Sequence, residues 1–317
     1  MKITNQSMQY TPTTIQHETK YVSESDRRME MLRDKYGKIH QQNLRQPDPK
    51  QHIYDKYDDR YSPKFRSDLT KEERDAAIDM ELSMLRNDGK MGYYSFRDAA
   101  FRDMEKINGL VENAEKRAFQ RQQVNNQMGE LFKEAGIVIP SDANLTFTVN
   151  PNDFAVTVTG SDDEQLLRQI EDILNKGKNG QELYKHLFRT VDEESSQRSK
   201  AAEQKYSVVS TLRATGYDIS KLENKDGKFL TPDGQDAFEL YLNKMRANPY
   251  ERNYVSAAAS HYGPTYYALA KNGFDSMPDF TLSINYRSGQ LHDIGQTQNY
   301  SETGWIDTLK QHMLSLK

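Results

Sequence analysis

Apolar positions along this chain follow two periods, and the alternation between them predicts its elements. Met29, Leu32, Tyr36 and Ile39 recur every three or four residues, the spacing of one helix face. They predict a helix over 25–46, capped by Ser23 or Ser25 and ended by Pro47 and Pro49. Thr70 and Glu73 form a capping-box pattern ahead of Ala77, Ile78, Met80, Leu82 and Leu85. That helix runs to about 87, where Asn87, Asp88 and Gly89 turn the chain. Ala100, Met104, Ile107, Val111, Ala114 and Ala118 keep the helical spacing, and Val124, Met128 and Leu131 extend it toward Gly136. The stripe predicts one rod from near Ser95, roughly 60 Å long for about 40 residues. Such a rod packs in a bundle with the 70–87 helix or pairs with another chain as a coiled coil.

The period then changes to two. Leu145, Phe147 and Val149 alternate with Thr146 and Thr148; after Asn150 to Asp153, Phe154, Val156 and Val158 alternate with Ala155 and Thr157. This predicts a β-hairpin, 145–159, with one apolar and one threonine-rich face. Ser161 and Glu164 suggest a second capping box, opening a helix that carries Leu166, Leu167, Ile170, Ile173 and Leu174. Residues 176–180 read as a flexible joint. A long helix is expected over 181–215, although Asp192 to Lys200 contains no apolar residue and must be solvated, broken or met by another chain. Residues 231–248 and those after Pro249 read as two further helices, the second broken at Gly263-Pro264. Phe280, Leu282, Ile284 and Tyr286 restore the period of two, and Leu291 and Ile294 form a weaker return strand. A closing helix carries Trp305, Leu309 and Met313. The expected fold is α+β: mostly helical, with long amphipathic helices and an antiparallel sheet from two hairpins, 145–159 and 280–294. Two hairpin–helix units, 145–175 and 280–315, would lie in a body of 69–317, preceded by a polar arm, 1–68, with one helix.

Composition narrows the function classes. Of 317 residues, 35% are hydrophobic and the mean hydropathy is −0.93, so the core is modest. The net charge of −4 gives no basic excess for nucleic acid, whose binding rests on phosphate contacts. No stretch approaches the ~18 apolar residues that span a bilayer. The N-terminal residues lack the apolar region of a secretion signal, so the default expectation is a cytoplasmic protein, with leaderless release as the other route. The absence of cysteine removes disulfides, thiolate nucleophiles and cysteine metal sites.

Phosphate-binding glycine loops, nucleophile elbows and zincin motifs are absent. The seven histidines, at 17, 40, 52, 186, 261, 292 and 312, include no pair at the i, i+4 spacing of a helical metal site. No metal, cofactor or catalytic residue is therefore expected. Residues 222–233 overlay a calcium loop only at Asn224, Asp226 and Gly227 and read better as a turn. Asp162, Asp163 and Glu164 suit a helix N-terminus. The pocket candidate is His261 with Tyr262 and Tyr266: a base and a proton donor at a helix break. Nineteen tyrosines against one tryptophan favour wet protein contacts, and Tyr54, Tyr57 and Tyr61, at i, i+3 and i+7, form the interaction candidate.

The run LTFTVNPNDFAVTVTGSDDEQLLRQIEDILN, followed by ELYKHLF, resembles a family from spore-forming Gram-positive bacteria that has no assigned activity. The resemblance implies a bacterial source and carries over no catalytic residue. The leading expectation is a non-enzymatic structural or self-assembling protein, contacting itself or another protein through the N-terminal arm and tyrosine-rich surface. The alternatives are a secreted or parasporal toxin-like protein and a hydrolase-type enzyme using the His261 region.

Overall fold

The computed structural model describes residues 21–104 and 107–315. The extended reading of residues 1–20 falls outside them. The protein is α+β, with ten α-helices, a four-stranded antiparallel sheet and a two-stranded one among the described residues. These residues form two compact units, 21–116 with 310–315, and 117–309. Residues 21–68 lie in one unit with the residues that follow them, and two helices in them pack on the helix that begins at Lys71.

In the first unit, α1 (Glu24–Leu44), α2 (Pro49–Tyr57) and α3 (Lys71–Arg86) pack on one another. Ser23 caps α1 in a capping box with Asp26. Ser25 instead donates to Glu112 through its backbone and hydroxyl, both at 2.7 Å. Thr70 and Glu73 cap α3 reciprocally, as the sequence predicts. Leu32, Tyr36, Met80, Met84 and Phe101 form one apolar cluster; Ile53, Tyr57, Leu69 and Ala77 form another. Two buried carboxylates cross these clusters. Tyr36 and Lys35 donate to Asp98. Tyr57, Lys56 and Asn43 donate to Glu81. Burial and these carboxylates push both phenols far above their usual range.

The expected 40-residue rod is shorter. Residues 99–101 form a 3₁₀ turn, and α4 (Gly109–Glu134) has 26 residues, or about 39 Å. The Asn108 carboxamide oxygen accepts from the Leu110 and Val111 N–H groups. A cap therefore stops the apolar period, and Gly109 begins the helix rather than weakening its middle.

The second unit carries the sheet, built from β1 (Asn144–Val149), β2 (Val156–Thr159), β5 (Leu282–Arg287) and β6 (Gln290–Asp293) in the order β2-β1-β5-β6. Phe147 faces Ile284 and Val158, and Leu145 faces Tyr286. The apolar face is covered by α4, α5 (Glu164–Leu174) and α6 (Asn179–Thr190). The cap of α5 is Asp163, not Ser161. Gly180 lies against the hairpin turn, where an added Cβ would sit 2.1 Å from the Phe154 carbonyl oxygen; the expected joint is a packed contact. The apolar-free stretch breaks the long helix, so α7 (Lys200–Leu212) starts afresh at Ser199.

A second core joins α7 to a small hairpin, β3 (Glu223–Lys225) and β4 (Lys228–Leu230), and to α8 (Ala237–Ala247) and α9 (Val255–Asn272). Asp226 and Gly227 make that hairpin's turn, and Asn224 and Lys225, expected in it, belong to β3. The last helix, α10 (Gly304–Ser315), buries Ile306. It is α6 that packs on β5, so the second hairpin does not repeat the hairpin–helix arrangement of the first.

Phe147→Ala should lower unfolding free energy by about 3–5 kcal/mol, because the ring is fully buried. Thr157→Ala, on the exposed face, should stay within about 0.5 kcal/mol; urea unfolding separates the two. Acid should unfold the protein partly through Glu73. The Arg102 guanidinium, then the Thr70 N–H, hold its carboxyl at about 2. An unfolded glutamate titrates near about 4.3, so the ionised form favours folding. That contribution is complete above pH about 4.3 and is lost as pH falls toward about 2. Glu73→Gln should weaken the fold at neutral pH and flatten this part of the pH–stability curve.

Candidate contact surface

A group of buried polar and ionisable side chains in the second unit surrounds Arg121 on α4. In sequence Arg121 sits within the apolar period, three residues after Ala118 and three before Val124. A charge at a core position was the available signal, and the helical stripe alone passes over it. Arg121 is fully buried. Its Nε donates to His186 Nε2 at 2.7 Å, and its Nη2 to Thr190 at 3.0 Å. Its two terminal nitrogens hold the Asp293 carboxylate at 2.8 and 2.9 Å, and Nη1 also reaches the Leu291 carbonyl. Every guanidinium donor is thereby used. Because Nε donates, His186 Nε2 must be an acceptor.

Beside this cluster, Arg117 donates to the Tyr300 hydroxyl at 3.0 Å and lies 3.6 Å from Asp192. Burial, opposed by Arg117, pushes the Asp192 carboxyl up. These hydrogen bonds and ion pairs tie α4 to α6 and β6 inside the unit, while one buried oxygen of the Asp192 carboxylate has no hydrogen-bond partner among the described residues.

The predicted pocket residues lie on α9, and the helix runs unbroken through Pro264. Tyr266 is fully buried, stacked on Phe238 with ring centroids 5.0 Å apart. Its hydroxyl donates to Asp236, the cap of α8, at 2.7 Å and accepts from the Phe229 N–H. It therefore belongs to the core. Tyr262 is half-buried against Tyr241, and His261 is exposed with its ring edge on Tyr262. Tyr266 is turned into the core while His261 is exposed, and the helix break expected at Gly263-Pro264 does not form.

The tyrosine stripe is also divided. Tyr57 is buried and bound to Glu81, Tyr54 is half-buried on α2, and Tyr61 lies beyond the helix, 97% exposed. The core of its own unit occupies Tyr57, so the three form no common outward face.

A different surface has the character expected of a protein contact. From Val255 to Ala270, α9 carries no Asp, Glu, Lys or Arg. Its inner side holds Ala258, Tyr266, Leu269 and Ala270. Its outer side exposes Ser256, Ala257, Ser260, His261, Pro264 and Tyr267, and Tyr250 and Tyr254 stand exposed just ahead of it. Pro264 has no N–H, so it removes the donor that the Ser260 carbonyl would receive in a regular helix. The uncharged run around His261 is the sequence signal for this surface.

Among the described residues no group of three or more His, Asp or Glu is placed to hold a metal ion, and no helix is long and apolar enough to cross a membrane.

Breaking the Arg121 tie from one side should cost the most. Arg121→Met leaves Asp293 as an uncompensated buried charge and should cost about 3–5 kcal/mol. Adding Asp293→Leu should recover a large part of it. Unfolding of the two variants in guanidinium measures the difference.

Comparison with known proteins agrees with the resemblance carried by residues 145–187. The chain is similar to the uncharacterized protein YbdO of Bacillus subtilis (strain 168), 39% identical over 302 residues that cover 94% of this chain and 76% of that protein. No solved structure matches it. The family described as "Domain of unknown function (DUF4885)" matches residues 2–310, and the chain belongs to that family.

Proposed function

We propose that the protein acts by binding another polypeptide rather than by catalysis, and that a second copy of the chain is the partner. The observation that carries this reading is the uncharged outer face of α9, with Tyr250, Tyr254 and Tyr267 exposed around it. Interface centres are depleted in charged side chains and enriched in tyrosine. Small exposed residues, Ala257 and Ser260, let a second helix approach closely. The Arg121 guanidinium supports the non-catalytic part of the reading, since all its donors are spent on groups of its own unit.

Light scattering coupled to size exclusion tests it. The wild type should run as a dimer or larger species, and Ala257→Glu with Tyr267→Glu should run as a monomer with an unchanged far-ultraviolet spectrum. A wild type that is monomeric at every concentration, or a double variant that assembles normally, overturns the reading.

A further inference from the structure

Where α4 ends, the chain leaves the helix through Ile137, Val138 and Ile139, which are neither helix, strand nor turn. Ile137 and Ile139 are half-buried against the main core, whereas Val138 between them is 85% exposed. This alternation is the side-chain period of an extended chain. The Ile137 N–H bonds to the Phe132 carbonyl. The Ile137 carbonyl, and the N–H and carbonyl groups of Val138 and Ile139, have no hydrogen-bond partner among the described residues. Pro140 follows and has no N–H to offer.

The same residues line a cavity of about 360 Å³, floored by Phe132 and Tyr286 with Lys133 beside it. Gly129 and Gly136 also border it, and no atom stands within 4 Å of where their Cβ atoms would be. The Tyr286 hydroxyl bonds to nothing in the described chain, and Lys133 makes no ion pair there.

We infer that residues 137–139 and this cavity form a strand-addition site for an extended apolar peptide bearing a carboxylate. Unpaired main-chain donors and acceptors select a strand, because a second backbone presents the complementary groups at the same repeat. The cavity takes an apolar side chain of that strand. Lys133 and the Tyr286 hydroxyl are the cation and the donor for its carboxylate. Pro140 limits the ladder and so sets its register. This site is separate from the face of α9 and stands whether or not that face binds a partner.

Fluorescence polarisation on the full chain tests the inference, with a labelled hexapeptide of alternating valine and threonine ending in glutamate. The same peptide N-methylated at alternate amides keeps its side chains and loses strand pairing. Binding should saturate, and N-methylation should weaken it at least about tenfold, as expected when main-chain hydrogen bonds supply the affinity. Val138→Pro, which removes one N–H at an exposed position, should weaken it comparably with an unchanged far-ultraviolet spectrum. Lys133→Ala should weaken it severalfold. Equal binding of the methylated peptide, or full displacement by decanoate with no effect of Val138→Pro, would mean an apolar groove without strand pairing and would overturn the inference. Failure to saturate by about 1 mM, the weak end of specific binding, would overturn it as well.

Discussion

The buried guanidinium of Arg121 is the constraint around which the second unit is organised. A charge taken wholly out of water is tolerated only when its donors are all satisfied, and here they are met by α6, by a carboxylate of β6 and by a β6 carbonyl. The consequence is geometric. α4, α6 and the β6 edge cannot shift independently without stranding either the arginine or Asp293. Asn125, one turn further along α4, repeats the tie by accepting the Leu291 N–H and donating to Ser301. The apolar contacts of Val124, Met128 and Phe132 with the sheet then follow from an α4 that is already fixed in rotation. Two aromatic contacts, Phe132 on Tyr286 at 5.6 Å and Phe147 on Tyr286 at 5.3 Å, complete the seam.

Both edges of the sheet are closed in the same manner, by side chains standing in for strands. At β2, Asn175 accepts the Val156 N–H at 2.7 Å and donates to the Val156 carbonyl at 2.9 Å, while Glu171 accepts the Val158 N–H. At β6, Asn125 and Ser301 take the two main-chain groups of Leu291. Open strand edges invite pairing with other chains, and here α4 and α5 deny that route. The covered groups are the N–H and carbonyl of Val156 and of Leu291 and the N–H of Val158. The polar sheet face is bound laterally as well, Thr146 to Asn285 and Thr148 to Ser283.

Much of this architecture is legible in the sequence because the signals are local. The starts of α1 and α3, at Ser23 and Thr70, lie in capping boxes. β1, β2 and β5 alternate with a period of two and bury the faces predicted to be apolar, whereas β6 buries the neighbours Leu291 and His292, and Ile294 lies past its end. The misreadings have specific causes. The apolar period before residue 108 continues by coincidence, and one side-chain cap at Asn108 outweighs it. Pro264 costs only one hydrogen bond on an exposed side, so packing of Tyr266 and Leu269 carries the helix across it. Tyr57 looks like surface decoration until Glu81, far away in sequence, supplies its hydrogen bond. The Arg121 tie depends on Asp293, 172 residues further on, and no local pattern announces such a pairing.

These long-range ties also decide which parts of the molecule remain free to act. The buried carboxylates Asp98, Glu81 and Asp293 are each matched to a cation, and the first two to a tyrosine as well. Such matched groups fix the packing of their elements but offer little to a ligand. Main-chain groups without a partner among the described residues lie instead where the chain leaves α4, along Ile137 to Ile139. There apolar side chains stand beside free main-chain groups. That combination favours another polypeptide over a small solute, because a polypeptide can cover apolar surface and satisfy backbone donors and acceptors in one contact.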